Sequence, residues 1–177
     1  ICWGTNEFGQ ASPVEKEYEL ITAGSAHTCA LDKAGRATCW GDNSFGQSSP
    51  PKTNFIAISA GSSHTCAIDR QKRLHCWGSN THGQSQAPRQ GAFTAVAAGS
   101  AHTCAINDEG HSLCWGAREA GRSSPPPGRY EAIDVGGIHS CAIDIKGNIA
   151  CWDARQTPWA APTADVFPRP STDQARH

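Results

Sequence analysis

Short apolar runs separated by glycine turns dominate this chain. Phe55-Ile56-Ala57-Ile58-Ser59-Ala60 is one such run. His64-Thr65-Cys66-Ala67-Ile68-Asp69 is a second, and Arg73-Leu74-His75-Cys76-Trp77-Gly78 a third. Each has the length and residue types of a β-strand, and turn residues bound each of them. No stretch keeps a 3.6-residue apolar period between helix caps. The pattern predicts an all-β fold.

The pattern repeats. Cys-Trp-Gly, or a close variant, opens at Cys2, Cys39, Cys76, Cys114 and Cys151, in steps of 37, 37, 38 and 37 residues. A matched turn follows in the first three units: Asn6-Glu7-Phe8-Gly9-Gln10, Asn43-Ser44-Phe45-Gly46-Gln47 and Asn80-Thr81-His82-Gly83-Gln84. The fourth copy is degraded to Arg118-Glu119-Ala120-Gly121-Arg122. An aromatic recurs in register at Tyr18, Phe55, Phe93, Tyr130 and Phe167. Then comes Ala23-Gly24-Ser25-Ala26-His27-Thr28-Cys29-Ala30-Leu31, with copies starting at Ala60, Ala98 and Val135. Short strands repeated every 37 residues predict propeller blades. Four units are complete. A fifth begins at Cys151 and keeps register to Phe167, so residues 1–167 are expected to be propeller repeats. Pro168-Arg169-Pro170 then replaces the small apolar run, and proline cannot donate in a sheet. Residues 168–177 are expected to be a polar tail.

The cysteines pair by spacing. Cys29 and Cys39, Cys66 and Cys76, Cys104 and Cys114, and Cys141 and Cys151 each lie ten apart around a short turn. Glycine is third in three of the four turns (Gly35, Gly110 and Gly147, against Lys72). That fits a three-residue hairpin loop with its last residue left-handed. With a closing pair at positions 32 and 36, Cys29 and Cys39 fall at a non-hydrogen-bonded pair, where Cα atoms approach closely enough for a disulfide. Four cross-strand disulfides are expected, each closing a loop of about 11 residues and contributing at most roughly 3 kcal/mol in the chain-entropy picture. Two alternatives stand beside this: reduced, buried cysteines, and a metal held by residues such as His27, Cys29 and Cys39. Four identical three-ligand sites in one small protein would be unusual. Disulfides imply an oxidising compartment: secreted, periplasmic or cell-surface. Cys2 is the ninth cysteine, and its hairpin partner is expected ten residues upstream of it.

The run small-Gly-x-x-His-x-x-Ala-Leu/Ile, a turn, Trp-Gly-x-Asn-x-x-Gly-Gln and a following proline resembles the regulator-of-chromosome-condensation repeat family. The resemblance covers residues 1 to about 152 and continues weakly to Phe167. It implies a seven-bladed β-propeller, and the short unit is most similar to bacterial secreted members, such as a β-lactamase-inhibitory propeller. The recurrent cysteine pair departs from that pattern and points to an extracellular branch. Seven such units would need about 259 residues, against 177 here. The expectation is therefore an arc of four blades and a part, with two apolar ends exposed. Missing repeats or a second chain would complete the ring.

Composition narrows the function. Lys plus Arg total 15 and Asp plus Glu 16. That balance lacks the positive surplus that nucleic-acid binding draws on. No apolar run is long enough to span a bilayer as a helix. Nucleotide-loop, nucleophile-elbow and zinc-protease motifs are missing from the sequence, and no carboxylate pair sits on one element. The expectation is a non-enzyme without cofactor or metal.

Recurrent residues read as structural. His27, His64, His102 and His139 suit a buried side chain tying adjacent blades better than four copies of a Cys/His dyad. Trp3, Trp40, Trp77, Trp115 and Trp152 suit core aromatics. Asn6, Asn43 and Asn80, with Gln10, Gln47 and Gln84, suit satisfaction of turn backbone groups. The variable place one step before each turn glycine is the candidate surface: Phe8, Phe45, His82 and Ala120. Phe8, Phe45 and His82 on one rim, among Glu7, Ser44, Thr81, Arg118, Glu119 and Arg122, would suit a protein-binding hot spot. The resemblance also implies partner contacts at this loop. The alternative places Phe8 and Phe45 under the turn as local core. The function expected is a non-catalytic extracellular protein-binding module, either an enzyme inhibitor or an assembly component. A guanine-nucleotide exchange factor and a structural or carbohydrate-contacting surface protein are the alternatives.

Overall fold

The computed structural model describes residues 1–117 and 123–153. Among the described residues, twelve strands form four antiparallel three-stranded sheets. Blade one holds β1 (Leu20–Ala23), β2 (His27–Leu31) and β3 (Ala37–Gly41). Blade two holds β4 (Phe55–Ala60), β5 (His64–Asp69) and β6 (Leu74–Gly78). Blade three holds β7 (Phe93–Ala98), β8 (His102–Asn107) and β9 (Ser112–Gly116). Blade four holds β10 (Tyr130–Val135), β11 (His139–Asp144) and β12 (Ile149–Asp153). The fold is the all-β array of propeller blades expected from the repeat. Phe167 and the expected tail at 168–177 lie outside the described residues.

The hairpin register follows from its loop. Asp32 N donates to Arg36 O, and Gly35 N to Asp32 O, closing three residues with Gly35 left-handed at φ 82°. Lys72 occupies the same place in blade two and is held at φ 61°. Cys29 therefore faces Cys39 across the sheet, and the same holds for 66 and 76, 104 and 114, and 141 and 151. All four pairs are disulfides, with Cα atoms 4.0 to 4.1 Å apart. Cys2 is free. The reduced and metal-binding alternatives fall with these bonds, because a disulfide sulfur offers no thiolate to a metal.

Blades pack by laying the middle strand of one against the first strand of the next. Leu31 of blade one is buried with Phe55, Ile58 and Trp77 of blade two. Ile68 repeats this with Phe93 and Val96, and Ile106 with Tyr130 and Ile133. The small-Gly motif permits the approach. A Cβ on Gly61 would lie 2.3 Å from Gly99 O and 2.6 Å from the His64 ring. The four Gly-containing turns, at 24, 61, 99 and 136, line a shared depression of about 320 Å³.

Candidate protein-binding rim

The repeated turn is built by its own amides. In the second unit Asn43 Oδ1 accepts from Ser48 N at 2.9 Å, and Gln47 Oε1 accepts from Phe45 N at 2.9 Å. Gly46, left-handed at φ 82°, donates its N–H to Asn43 O. Gln47 is fully buried, and its Nε2 donates to Asp42 Oδ2 at 2.7 Å. The first turn matches: Asn6 Oδ1 accepts from Ala11 N at 2.8 Å and Gln10 Oε1 from Phe8 N at 2.9 Å. So does the third, with Ser85 N to Asn80 Oδ1 at 3.1 Å and His82 N to Gln84 Oε1 at 2.8 Å. Asn and Gln are thus consumed within the turn, as the sequence suggested.

Each turn is then clamped onto a blade. The carbonyl of Gln10 accepts from Thr28 Oγ1 at 2.9 Å and Trp40 Nε1 at 3.0 Å. Gln47 O accepts from Thr65 and Trp77, and Gln84 O from Thr103 and Trp115. Three turns held by the same pair of donors occupy corresponding places on successive blades.

What remains outward is the residue before each glycine. Phe8 and Phe45 are each 55% exposed, and His82 is exposed beside Thr81, whose Oγ1 lies 3.0 Å from His82 Nδ1. Glu7, Ser44 and Thr81 are exposed next to them. Neither Phe is buried beneath its turn. Arg118, Glu119, Ala120 and Arg122, the fourth-turn candidates, lie outside the described residues.

The recurrent histidines lie elsewhere, between blades. His27 Nε2 is 2.8 Å from Thr65 Oγ1, and His64 Nε2 is 2.8 Å from Thr103 Oγ1. Thr65 has one hydroxyl proton and gives it to Gln47 O at 3.1 Å, so His27 Nε2 must be the donor. Nδ1 of His27 and of His64 is buried without a hydrogen-bond partner, so a second proton there would be an unpaired buried donor and the site favours the neutral ring. Burial lowers the pKa of His27, and burial with repulsion from His27 and His102 takes His64 down to about 4. The sequence pointed to the tie between blades but not to the threonine that receives it. That threonine recurs too, directly after each His, as Thr28, Thr65 and Thr103, with Ser140 in the fourth place.

Four tryptophans are structural: Trp40 and Trp152 are buried, and Trp77 and Trp115 are half-buried on their clamps. Trp3 differs, at 83% exposed. Among the described residues, no group of three or more His, Cys, Asp or Glu is gathered as a metal site.

The regulator of chromosome condensation (RCC1) repeat matches residues 19–47, 55–84 and 93–121. No curated protein sequence matches. Among solved structures, the ectodomain of the Physcomitrella patens receptor kinase CR4 is similar, at 27% identity and TM-score 0.76, over 92% of this chain and 48% of its own. The CRINKLY WD40 ectodomain of the Arabidopsis thaliana receptor kinase ACR4 is similar at 26% identity and TM-score 0.69, over 84% of this chain and 54% of its own. Prp20p of Saccharomyces cerevisiae, studied for its binding to Gsp1p and histones, shares the fold at 17% identity and TM-score 0.70, over 80% of this chain and 47% of its own. The chain spans about half the length of each.

Proposed function

Because this chain belongs to the regulator of chromosome condensation repeat family, we propose that it is a non-catalytic protein-binding propeller module of an oxidising, extracellular compartment. The observation that carries this reading is the rim. A turn whose Asn and Gln side chains are taken up by its own backbone still presents Phe8 and Phe45 to solvent, on successive blades. Exposed aromatics in a row with a polar surround have the composition of an interface centre. The proposed contact residues are Phe8, Phe45 and His82, with Glu7, Arg118 and Glu119 as the surround.

Four disulfides support the compartment, since such bonds persist where thiols are not kept reduced. Two of the similar structures are ectodomains of receptor kinases, which agrees with it. A protein partner is also in keeping with Prp20p, which binds Gsp1p and histones, although likeness at that identity carries the fold alone.

Capture from the native source on the immobilised chain, with a Phe8→Ser, Phe45→Ser double variant in parallel, tests the reading. A protein retained by the first and lost from the second is the expected result. Equal capture by both would remove the rim from the account.

A further inference from the structure

The basic side chains are unevenly placed. Residues 33–107 hold seven Lys and Arg against two Asp, in a chain whose totals are 15 Lys and Arg against 16 Asp and Glu. All seven fall at one edge of the sheets, at the end of the strands opposite the rim turns. Lys33 and Arg36 belong to the hairpin tip between β2 and β3, and Arg70, Lys72 and Arg73 to the tip between β5 and β6. Lys52 and Arg89 lie in the loops that lead into β4 and β7. Backbone contacts set these pieces side by side. Gly35 O accepts from Phe55 N at 2.7 Å, Ala34 O from Arg70 Nη2 at 3.2 Å, and Lys72 O from Phe93 N at 2.8 Å. Tip, loop, tip and loop thus alternate along a basic edge centred on blade two, with blades one and three beside it in the same chain.

The two Asp leave that edge charged. Asp42 lies at the far end of β3 and accepts from Ser44 N and Gln47 Nε2. Asp69 is buried and pairs with Arg73 and His75. Among the described residues, Lys33, Lys52, Arg70, Lys72 and Arg89 enter no ion pair, and all five are exposed. Residues 33–36, 51–54, 70–73 and 88–92 include no aromatic, Leu, Ile or Val. The edge therefore lacks the apolar anchor of a protein interface and the stacking platform of a single-stranded nucleic-acid site. Exposed carboxylates bound it on both sides. Glu15, Glu17 and Glu19 flank Lys16 and Tyr18, in a segment that Lys16 holds to Asp32 at 2.8 Å, and Asp108 and Glu109 form the tip of blade three.

We propose that this edge is a second binding surface, which takes a linear acidic polysaccharide along the tips of blades one and two. Its exposed Lys and Arg pair with successive carboxylate or sulfate groups and displace their counterions, and the acidic neighbours confine the polymer to this stretch. The choice of a polysaccharide over other polyanions rests on the extracellular compartment proposed above. The basic edge itself does not, and it shares no residue with the rim.

Calorimetric titration of the whole chain with heparin, which carries both anionic groups, tests this between about 50 and 200 mM NaCl. Saturable binding that weakens with salt is expected. Lys52→Gln, Lys72→Asn and Arg89→Gln each remove a charge that has no ion pair, and Asn suits the left-handed backbone at position 72. Each is expected to bind about threefold more weakly and to lower the salt slope by about one, at the native melting temperature. The triple variant is expected to bind about thirtyfold more weakly. Two controls are expected to bind as the wild type does: Lys146→Gln, at an exposed lysine in the hairpin of blade four, and the Phe8→Ser, Phe45→Ser variant, so edge and rim are tested separately. Absence of saturable binding at the lowest salt, a loss from either control equal to that of the edge variants, or tighter binding of a poly-glutamate peptide or duplex DNA than of heparin would each overturn the proposal.

Discussion

His27 Nε2–H donates to Thr65 Oγ1 across 2.8 Å, and the same hydroxyl donates onward to Gln47 O. One side chain of blade one, one of blade two and the turn that carries Phe45 are thereby joined in a single chain of hydrogen bonds. Removing the middle member strands a buried donor. Thr65→Val keeps the shape and loses the oxygen, and it should cost about 1–3 kcal/mol in urea unfolding. Thr65→Ser should cost less than about 1 kcal/mol, because Ser140 already fills this place opposite His102 at 2.9 Å. A loss from Thr65→Ser with none from Thr65→Val would show that the methyl, not the hydroxyl, matters.

Acid should loosen the blades before it titrates carboxylates. His64 has its folded pKa lowered to about 4 from 6.5, chiefly by burial, and His27 is lowered in the same direction. The unfolded chain binds those protons first. The stabilisation is therefore complete above pH 6.5 and is lost as pH falls through the folded value. For His64 alone the loss by pH 4 is on the order of 3 kcal/mol. Denaturant midpoints measured from pH 7 to pH 4 should fall steadily, and His64→Gln should flatten the slope.

Backbone geometry separates two neighbouring substitutions. Gly61→Ala should destabilise by about 2 kcal/mol or more, because the added carbon meets a backbone oxygen of the next blade at 2.3 Å. Lys72→Gly should raise the melting temperature, relieving a left-handed non-glycine residue by up to about 1 kcal/mol. A lower melting temperature for Lys72→Gly would mean that its side chain contributes more than its backbone costs.

Thiol titration in denaturant without reductant should find one thiol per chain, from Cys2. After reduction it should find nine. Reduction should also lower stability, by up to roughly 3 kcal/mol for each bond.

The strands of blade two and the four cysteine pairs were legible because each is a local pattern written several times over. The hairpin length sets the cysteine register, and Lys72 in the glycine place does not alter it. The direction of the histidine tie was not legible, since His27 and its threonine lie 38 residues apart and meet only when blades stack. Nor was the fate of Phe8 and Phe45. An apolar side chain before a turn glycine suits core and surface equally, and the turn's own Asn and Gln decide it by closing beneath. The exposed state of Trp3 was likewise hidden, because its sequence surroundings match those of the clamped tryptophans.

The central claim is that the rim binds rather than supports. It is tested most directly by measuring Phe45→Ala twice, once for affinity to the captured partner and once for melting temperature. The account predicts a binding loss of about 2 kcal/mol, near thirtyfold, with the melting temperature unchanged. Unaltered affinity together with a large fall in melting temperature would contradict it and make Phe45 part of the core.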